Sequence, residues 1–260
     1  SGADYISTIG GANLVYAGSG DDTITALGGS NYLVGGSGDD TITANGGFNT
    51  IFGEYGDDII TAKGEANLVN AGEGNNTVTI TGTLNAVAAG AGDDILTAAG
   101  LGANVILGGD GANIITSVAQ GNLLAGGKDD DIITSLGGLN AQLGGEGDNI
   151  MSSVGAANIM LSGSGNDIVT AAGIANFVAA GDGENIATTI GMENIVLTGS
   201  GADIVTSIGN DNLVLAGGGD NIISLAGMHN FALTGDGTDV ITSFGGMNLT
   251  ACGAGDDIVT

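Results

Sequence analysis

The chain has 260 residues, of which 53 are glycine, none is proline or tryptophan, and 29 are acidic against two basic, Lys63 and Lys128, for a formal net charge of −27. Glycine does not recur at every third position and proline is absent, which excludes collagen, and a chain that is 42% hydrophobic is too rich in Ile, Leu and Val for a disordered acidic tail. The charge excludes direct binding of nucleic acid without a bridging cation, and it opposes docking on an anionic lipid surface.

The chain opens with Ser1-Gly2-Ala3-Asp4, in phase with Ser19-Gly20-Asp21-Asp22. The segment SGADYIS has no basic start and no apolar signal core, so it does not read as a targeting segment. The longest stretch without a charged residue, Gly74 to Gly92, is interrupted by asparagines and threonines and predicts no transmembrane helix. Cys252 is the only cysteine, which excludes an internal disulfide.

An asparagine recurs along the whole chain as Asn13, Asn31, Asn49, Asn67, Asn85, Asn104, Asn122, Asn140, Asn158, Asn176, Asn194, Asn212, Asn230 and Asn248. Twelve of the intervals are 18 residues and one is 19, where the run AAGLGAN around Leu101 carries a single insertion. A fixed period of this length is the signature of a solenoid. Read from Gly35, one unit is GGSGDDTIT followed by ANGGFNTIF, two nine-residue halves in which Asp40 and Asn49 are equivalent, as are Ile42 and Ile51. The first half matches the G-G-x-G-x-D-x-U-x nonapeptide of calcium-binding β-helices.

Each half supplies a turn and a short strand. The predicted fold is all-β, a parallel β-solenoid of the β-roll or β-helix type, with about 14 coils of 18 residues and two short strands per coil. Ile24, Ile42, Ile60, Val78, Leu96, Ile115 and Ile133 are the inward residues of the first strand; Leu33, Ile51, Val69, Val87, Ile106 and Leu124 are those of the second. Stacked in this way they predict a core only two side chains across. Glycines such as Gly36, Gly38 and Gly46 are expected at positive φ in the turns. Residues 1–260 read as a single repeat array, a rod on the order of 65–70 Å long at about 4.8 Å per coil. Neither end has a polar cap, as expected of a piece of a longer solenoid.

Sorted by phase, 26 of the 29 carboxylates precede the first strand, and only Glu65, Glu193 and Asp211 fall in the opposite turn. One position of this acidic edge holds Asp4, Asp22, Asp40, Asp58, Asp94, Asp131, Asp167, Asp203, Asp239 and Asp257, with Asn76, Asn113, Asn149, Asn185 and Asn221 in the intervening coils from Asp58 to Asp239. These ten aspartates are the candidate ligands of Ca²⁺, a hard cation that takes six to eight oxygens and could draw the remainder from glycine carbonyls. The consecutive aspartates at 4, 22, 40 and 58 and at 239 and 257 are the places where calcium is expected first. Without metal, Asp and Asn at this position both serve equally well as turn residues that cap their own backbone.

The series Asn13 to Asn248 predicts a structural asparagine ladder on the neutral edge, its amides bonding along the axis. Residues flanking the inward positions are apolar, with Ile95, Ile114, Ile132, Ile150, Ile168, Ile186, Ile204 and Ile222 on one sheet and Phe177, Leu197, Leu215, Phe231 and Leu233 on the other. Such faces predict packing against further repeats, sister rods or a membrane. No catalytic constellation is visible: His229 is the only histidine and has no nucleophile in phase with it, so the chain does not read as an enzyme.

The full pattern, glycine, seven residues, then G-x-x-N, is seen in Gly20…Gly28-Gly29-Ser30-Asn31 and Gly38…Gly46-Gly47-Phe48-Asn49. It resembles the glycine-rich repeat regions of the multifunctional-autoprocessing repeats-in-toxin (MARTX) family over the whole chain. That resemblance implies a secreted, extracellular toxin segment, exported by a type I system, that acts at the host-cell membrane in pore formation or effector translocation. Repeats-in-toxin rolls carry aspartate in both nonapeptides, so the asparagine edge here is expected to be free of metal. The alternative is an extracellular spacer or stalk of an adhesin or surface-layer-type protein without membrane activity.

Overall fold

The computed structural model describes residues 1–260, which form two compact units, Ser1–Lys128 and Asp129–Thr260. Each unit is a parallel β-solenoid without helices. The first contains the strands from Tyr5–Ser19 to Gly121–Gly127, and the second those from Ile132–Glu146 to Ile258–Val259.

In the first unit every strand pairs in parallel with its equivalent one coil on. Strand Thr41–Asn45 sets Ile42 beside Ile60, and Phe48–Tyr55 sets Asn49 beside Asn67 and Ile51 beside Val69. The insertion is absorbed between strands Ile95–Ala99 and Ala103–Asp110, where Leu101 projects into solvent, and the pairing on both sides stays in register. The second unit repeats the scheme, with Asn158 beside Asn176 and Met160 beside Val178.

All thirteen residues expected to point inward are buried. The core is nevertheless wider than two side chains. A strand of five residues alternates faces with period two and so turns two side chains inward. The second inward place holds Ala26, Ala44, Ala62, Ile80, Ala98 and Ser117 in the first unit, and it holds Ser135, Ser153, Ala171, Thr189, Ser207 and Leu225 in the second. These hydroxyls are not orphaned: Ser153 Oγ donates to Asn158 Oδ1 at 2.6 Å and Ser207 Oγ to Asn212 Oδ1 at 2.8 Å. Gln142 interrupts the second stack and donates from Nε2 to Ser135 Oγ and to the Ser152 carbonyl, both at 2.8 Å.

The two edges use glycine differently. Gly36 and Gly38 lie at φ +125° and +117°, the left-handed region that only glycine enters freely. Gly46, expected to be of the same kind, has ordinary φ. Its hydrogen atoms make room for the Gly28 carbonyl and for Asn31 Nδ2, which a Cβ would meet at 2.7 Å. Coil-to-coil approach, not turn geometry, therefore excludes a side chain there.

Outside the core, the flanking isoleucines from Ile95 to Ile222 are exposed, as is Leu233, while Phe177, Leu197, Leu215 and Phe231 are half-buried.

Candidate metal sites along the acidic edge

The turn Gly35-Gly36-Ser37-Gly38-Asp39-Asp40 shows how the edge is built. Two left-handed glycines reverse the chain and bring Asp40 against Gly35, where an added Cβ would run into its Oδ2. Gly53 and Asp58 repeat the arrangement one coil on. Each aspartate thus turns inward beneath its own turn. Asp22, Asp40, Asp58, Asp94, Asp131, Asp167, Asp203 and Asp239 are at most 1% exposed. Asp257 is half-buried and Asp4 is exposed.

One oxygen of each buried carboxylate is committed to the neighbouring coil. Oδ1 of Asp22, Asp40 and Asp58 accepts the backbone N–H of Asp4, Asp22 and Asp40 at 2.7, 2.8 and 2.8 Å. The same bond runs from Asn76 to Asp94, Asn149 to Asp167, Asn185 to Asp203, Asn221 to Asp239 and Asp239 to Asp257, at 2.7 to 3.0 Å. The cap therefore reaches one coil back along the solenoid and does not close on the residue's own turn.

The other oxygen is different. Oδ2 of Asp22, Asp40, Asp58, Asp94, Asp167 and Asp239 is buried and has no hydrogen-bond partner. A buried acceptor without a donor costs about 1–3 kcal/mol, and more when it is charged. The electrostatics reflect this. Burial pushes the Asp58 carboxyl up to about 7 and the Asp94 carboxyl to about 6, against the pull of the N–H groups they accept. Asp40 and Asp203 are raised for the same reason, opposed at Asp203 by the Thr198 hydroxyl and by Asn185. A hard cation is the group that such oxygens fit, since it takes carboxylate and carbonyl oxygens together. Nowhere do three carboxylate, imidazole or thiol groups converge, so main-chain carbonyls of the glycine turns and water would have to complete any such site.

A second acidic row, one residue earlier, carries no signal in the sequence beyond its charge. Asp21, Asp39 and Asp57 are exposed, and their Oδ1 atoms accept the N–H of Asp39, Asp57 and Asn75 at 3.0, 2.9 and 2.7 Å. The inner row thus accepts from the coil before and the outer row from the coil after. Together they tie every turn of this edge to both neighbours.

On the neutral edge, the asparagines lie inside the coil, at most 4% exposed from Asn31 to Asn230. Nδ2 of Asn13, Asn31, Asn49 and Asn67 donates to Oδ1 of Asn31, Asn49, Asn67 and Asn85 at 2.7 to 2.8 Å, and Asn85 reaches Asn104 likewise. In the second unit the chain of bonds runs from Asn140 through Asn158, Asn176, Asn194, Asn212 and Asn230 to Asn248. Most of these amides also face a carbonyl, as Asn49 does with Lys63 and Asn67 with Thr81. The ladder oxygens Asn31 Oδ1, Asn49 Oδ1, Asn67 Oδ1 and Asn85 Oδ1 are each taken up by the amide of the coil before. His229 sits there too, exposed, with Nδ1 2.6 Å from Asp211 Oδ1.

A family model described as RTX calcium-binding nonapeptide repeat matches residues 7–42, 34–69, 43–78, 89–120 and 143–169, which together cover half of the chain. The matched segments contain Asp22, Asp40, Asp58, Asp94 and Asp167. No curated protein and no solved structure matches the chain.

Proposed function

The chain belongs to the family of RTX calcium-binding nonapeptide repeats, and from that membership we propose that its calcium is held along the inner acidic row and serves to lock the solenoid. Asp22, Asp40, Asp58, Asp94, Asp131, Asp167, Asp203 and Asp239 would hold it, with glycine-turn carbonyls completing the oxygen shell. The observation that carries this reading is the buried, partnerless Oδ2 of Asp22, Asp40, Asp58, Asp94, Asp167 and Asp239. Bound calcium supplies the positive charge those oxygens lack. Asp4 and Asp257, outside the buried set, would bind more weakly. The experiment is a calcium titration followed by circular dichroism and thermal melting: the reading expects the melting temperature to rise from chelator to millimolar Ca²⁺, and equal melting in both would overturn it.

A calcium-locked structural repeat without catalytic groups suits a secreted segment that folds only where calcium is plentiful, outside the cell. In finer terms the reading is a repeat segment of a MARTX-like toxin whose apolar outer faces associate with further repeats, with sister copies or with the host-cell membrane. What supports it is the exposed isoleucine series from Ile95 to Ile222, since faces of this kind seldom stay open to water. Leakage of dye from liposomes on adding the calcium-loaded chain would support membrane activity, and intact vesicles would favour the spacer or stalk.

A further inference from the structure

Between Asp58 and Asp239 the inner row alternates aspartate with asparagine, and the two residues differ at a single atom. Their Oδ1 atoms do the same work: Asp58 N–H donates to Asn76 Oδ1 at 3.0 Å, as Asp40 N–H donates to Asp58 Oδ1. Their second atoms also occupy the same place. Asn113 Nδ2 would meet a Cβ on Gly108, five residues earlier, just as Asp58 Oδ2 would meet one on Gly53. In the asparagine coils that atom has a partner. Asn76 Nδ2 donates to the Gly74 carbonyl at 2.8 Å, Asn149 Nδ2 to Gly147 at 3.0 Å, and Asn221 Nδ2 to Gly219 at 2.8 Å. In the aspartate coils an acceptor stands where that donor stands, and at Asp58, Asp94, Asp167 and Asp239 it is buried without a hydrogen-bond partner.

Resting on the calcium reading above, we infer that the asparagines are built-in cation substitutes: the amide N–H closes in each asparagine coil the place that Ca²⁺ closes in each aspartate coil. Calcium then loads the aspartate coils alone, and the asparagine coils hold their turns in its absence. From Asp58 to Asp239 the metal is then spread at every second coil, which halves the number of doubly charged ions that stretch must gather, while the coils of Asp22, Asp40 and Asp58 take it in succession. Isosteric exchange at one atom should convert either kind of coil into the other.

The test uses the 260-residue chain and its Asn76→Asp and Asp94→Asn variants, with bound ⁴⁵Ca counted by equilibrium dialysis and melting followed in chelator and in millimolar Ca²⁺. Asn76→Asp is expected to bind at least one additional calcium per chain, to melt lower than wild type in chelator, and to regain the loss in calcium. Asp94→Asn is expected to bind less calcium and to melt higher than wild type in chelator. An Asn76→Ala variant, which removes the amide without adding a ligand, is expected to melt lower in both conditions. If wild type binds calcium but Asn76→Asp takes up no more, the inference falls and the calcium reading stands; if wild type binds none, both fall.

Discussion

Asp40 accepts the backbone N–H of Asp22 through Oδ1 at 2.8 Å, while its Oδ2 lies buried without any donor. One oxygen of the residue is structural and the other is chemically unfinished. The same division holds at Asp22, Asp58, Asp94, Asp167 and Asp239, where Oδ1 bonds to the neighbouring coil while Oδ2 is left without a donor.

The first consequence is a pH dependence in the metal-free protein. Carboxyls at about 7 for Asp58 and about 6 for Asp94 stand above the ordinary value of 3.8, so the folded state binds more protons than the unfolded one across that window. Stability then falls with rising pH: the contribution is fully present below the ordinary carboxylate range and is lost as pH passes about 6 and about 7. Mutual repulsion within the −27 net charge acts in the same direction. In chelator the urea midpoint is expected to be higher at pH 5 than at pH 8, with calcium reducing the difference. A midpoint that rises with pH in chelator contradicts this.

The asparagine ladder should be worth more than any exposed polar pair. Asn49→Ala leaves the Asn31 amide without its acceptor and Asn67 Oδ1 without its donor, both in buried positions. At about 1–3 kcal/mol for each orphaned group, a loss of roughly 2–6 kcal/mol is expected. Urea denaturation in saturating calcium measures it. If calcium is confined to the acidic edge, as proposed, the loss is expected to be the same with and without calcium.

Neutral-edge glycines are held to be small by the neighbouring coil and not by their own φ. Gly46→Ala, whose Cβ would collide with the Gly28 carbonyl and Asn31 Nδ2, is expected to destabilise by about 1–3 kcal/mol, the usual cost of overpacking. Gly11→Ala has ordinary φ and nothing within 4 Å of its Cβ; it is expected to be neutral or to stabilise by up to about 1 kcal/mol through the unfolded chain. Equal effects at the two sites would refute the packing explanation.

Glu54 stands at φ 84°, where Gly36 and Gly72 occupy the equivalent places. A residue with a Cβ pays roughly 1–2 kcal/mol for this conformation. Glu54→Gly is therefore expected to raise stability by about 1 kcal/mol despite shortening the side chain, and thermal melting in saturating calcium reads the change. A lower melting temperature would show that Glu54 makes a compensating contact.

Periodicity made much of this legible from residue identity alone. The stacks of Ile24, Ile42 and Ile60 and of Leu33, Ile51 and Val69 follow from an 18-residue period imposed on strands, and the repeat of Asn31, Asn49 and Asn67 announces contact between equivalent side chains. Depth was not legible. Phase says that Asp40 lies at the acidic edge, but only the fold says that it turns inward beneath Gly35 while Asp39, next in sequence, stays in water. The outer row was missed because its bonds run from one residue's carboxylate to the next coil's backbone N–H, and a backbone partner leaves no trace in composition. Where the partner is Ala112, accepted by Asp93 Oδ1 at 2.8 Å, the residue has no polar side chain at all. The role of Gly46 is hidden for a related reason, since turn glycine and packing glycine look alike until neighbouring coils are set side by side.

The most direct measurement is anomalous diffraction from crystals of the chain grown in calcium. The account predicts peaks against Oδ2 of Asp40 and Asp58 on the inner row, and none against Nδ2 of Asn76. An inner row without peaks, or peaks confined to the exposed carboxylates of Asp39 and Asp57, would contradict it.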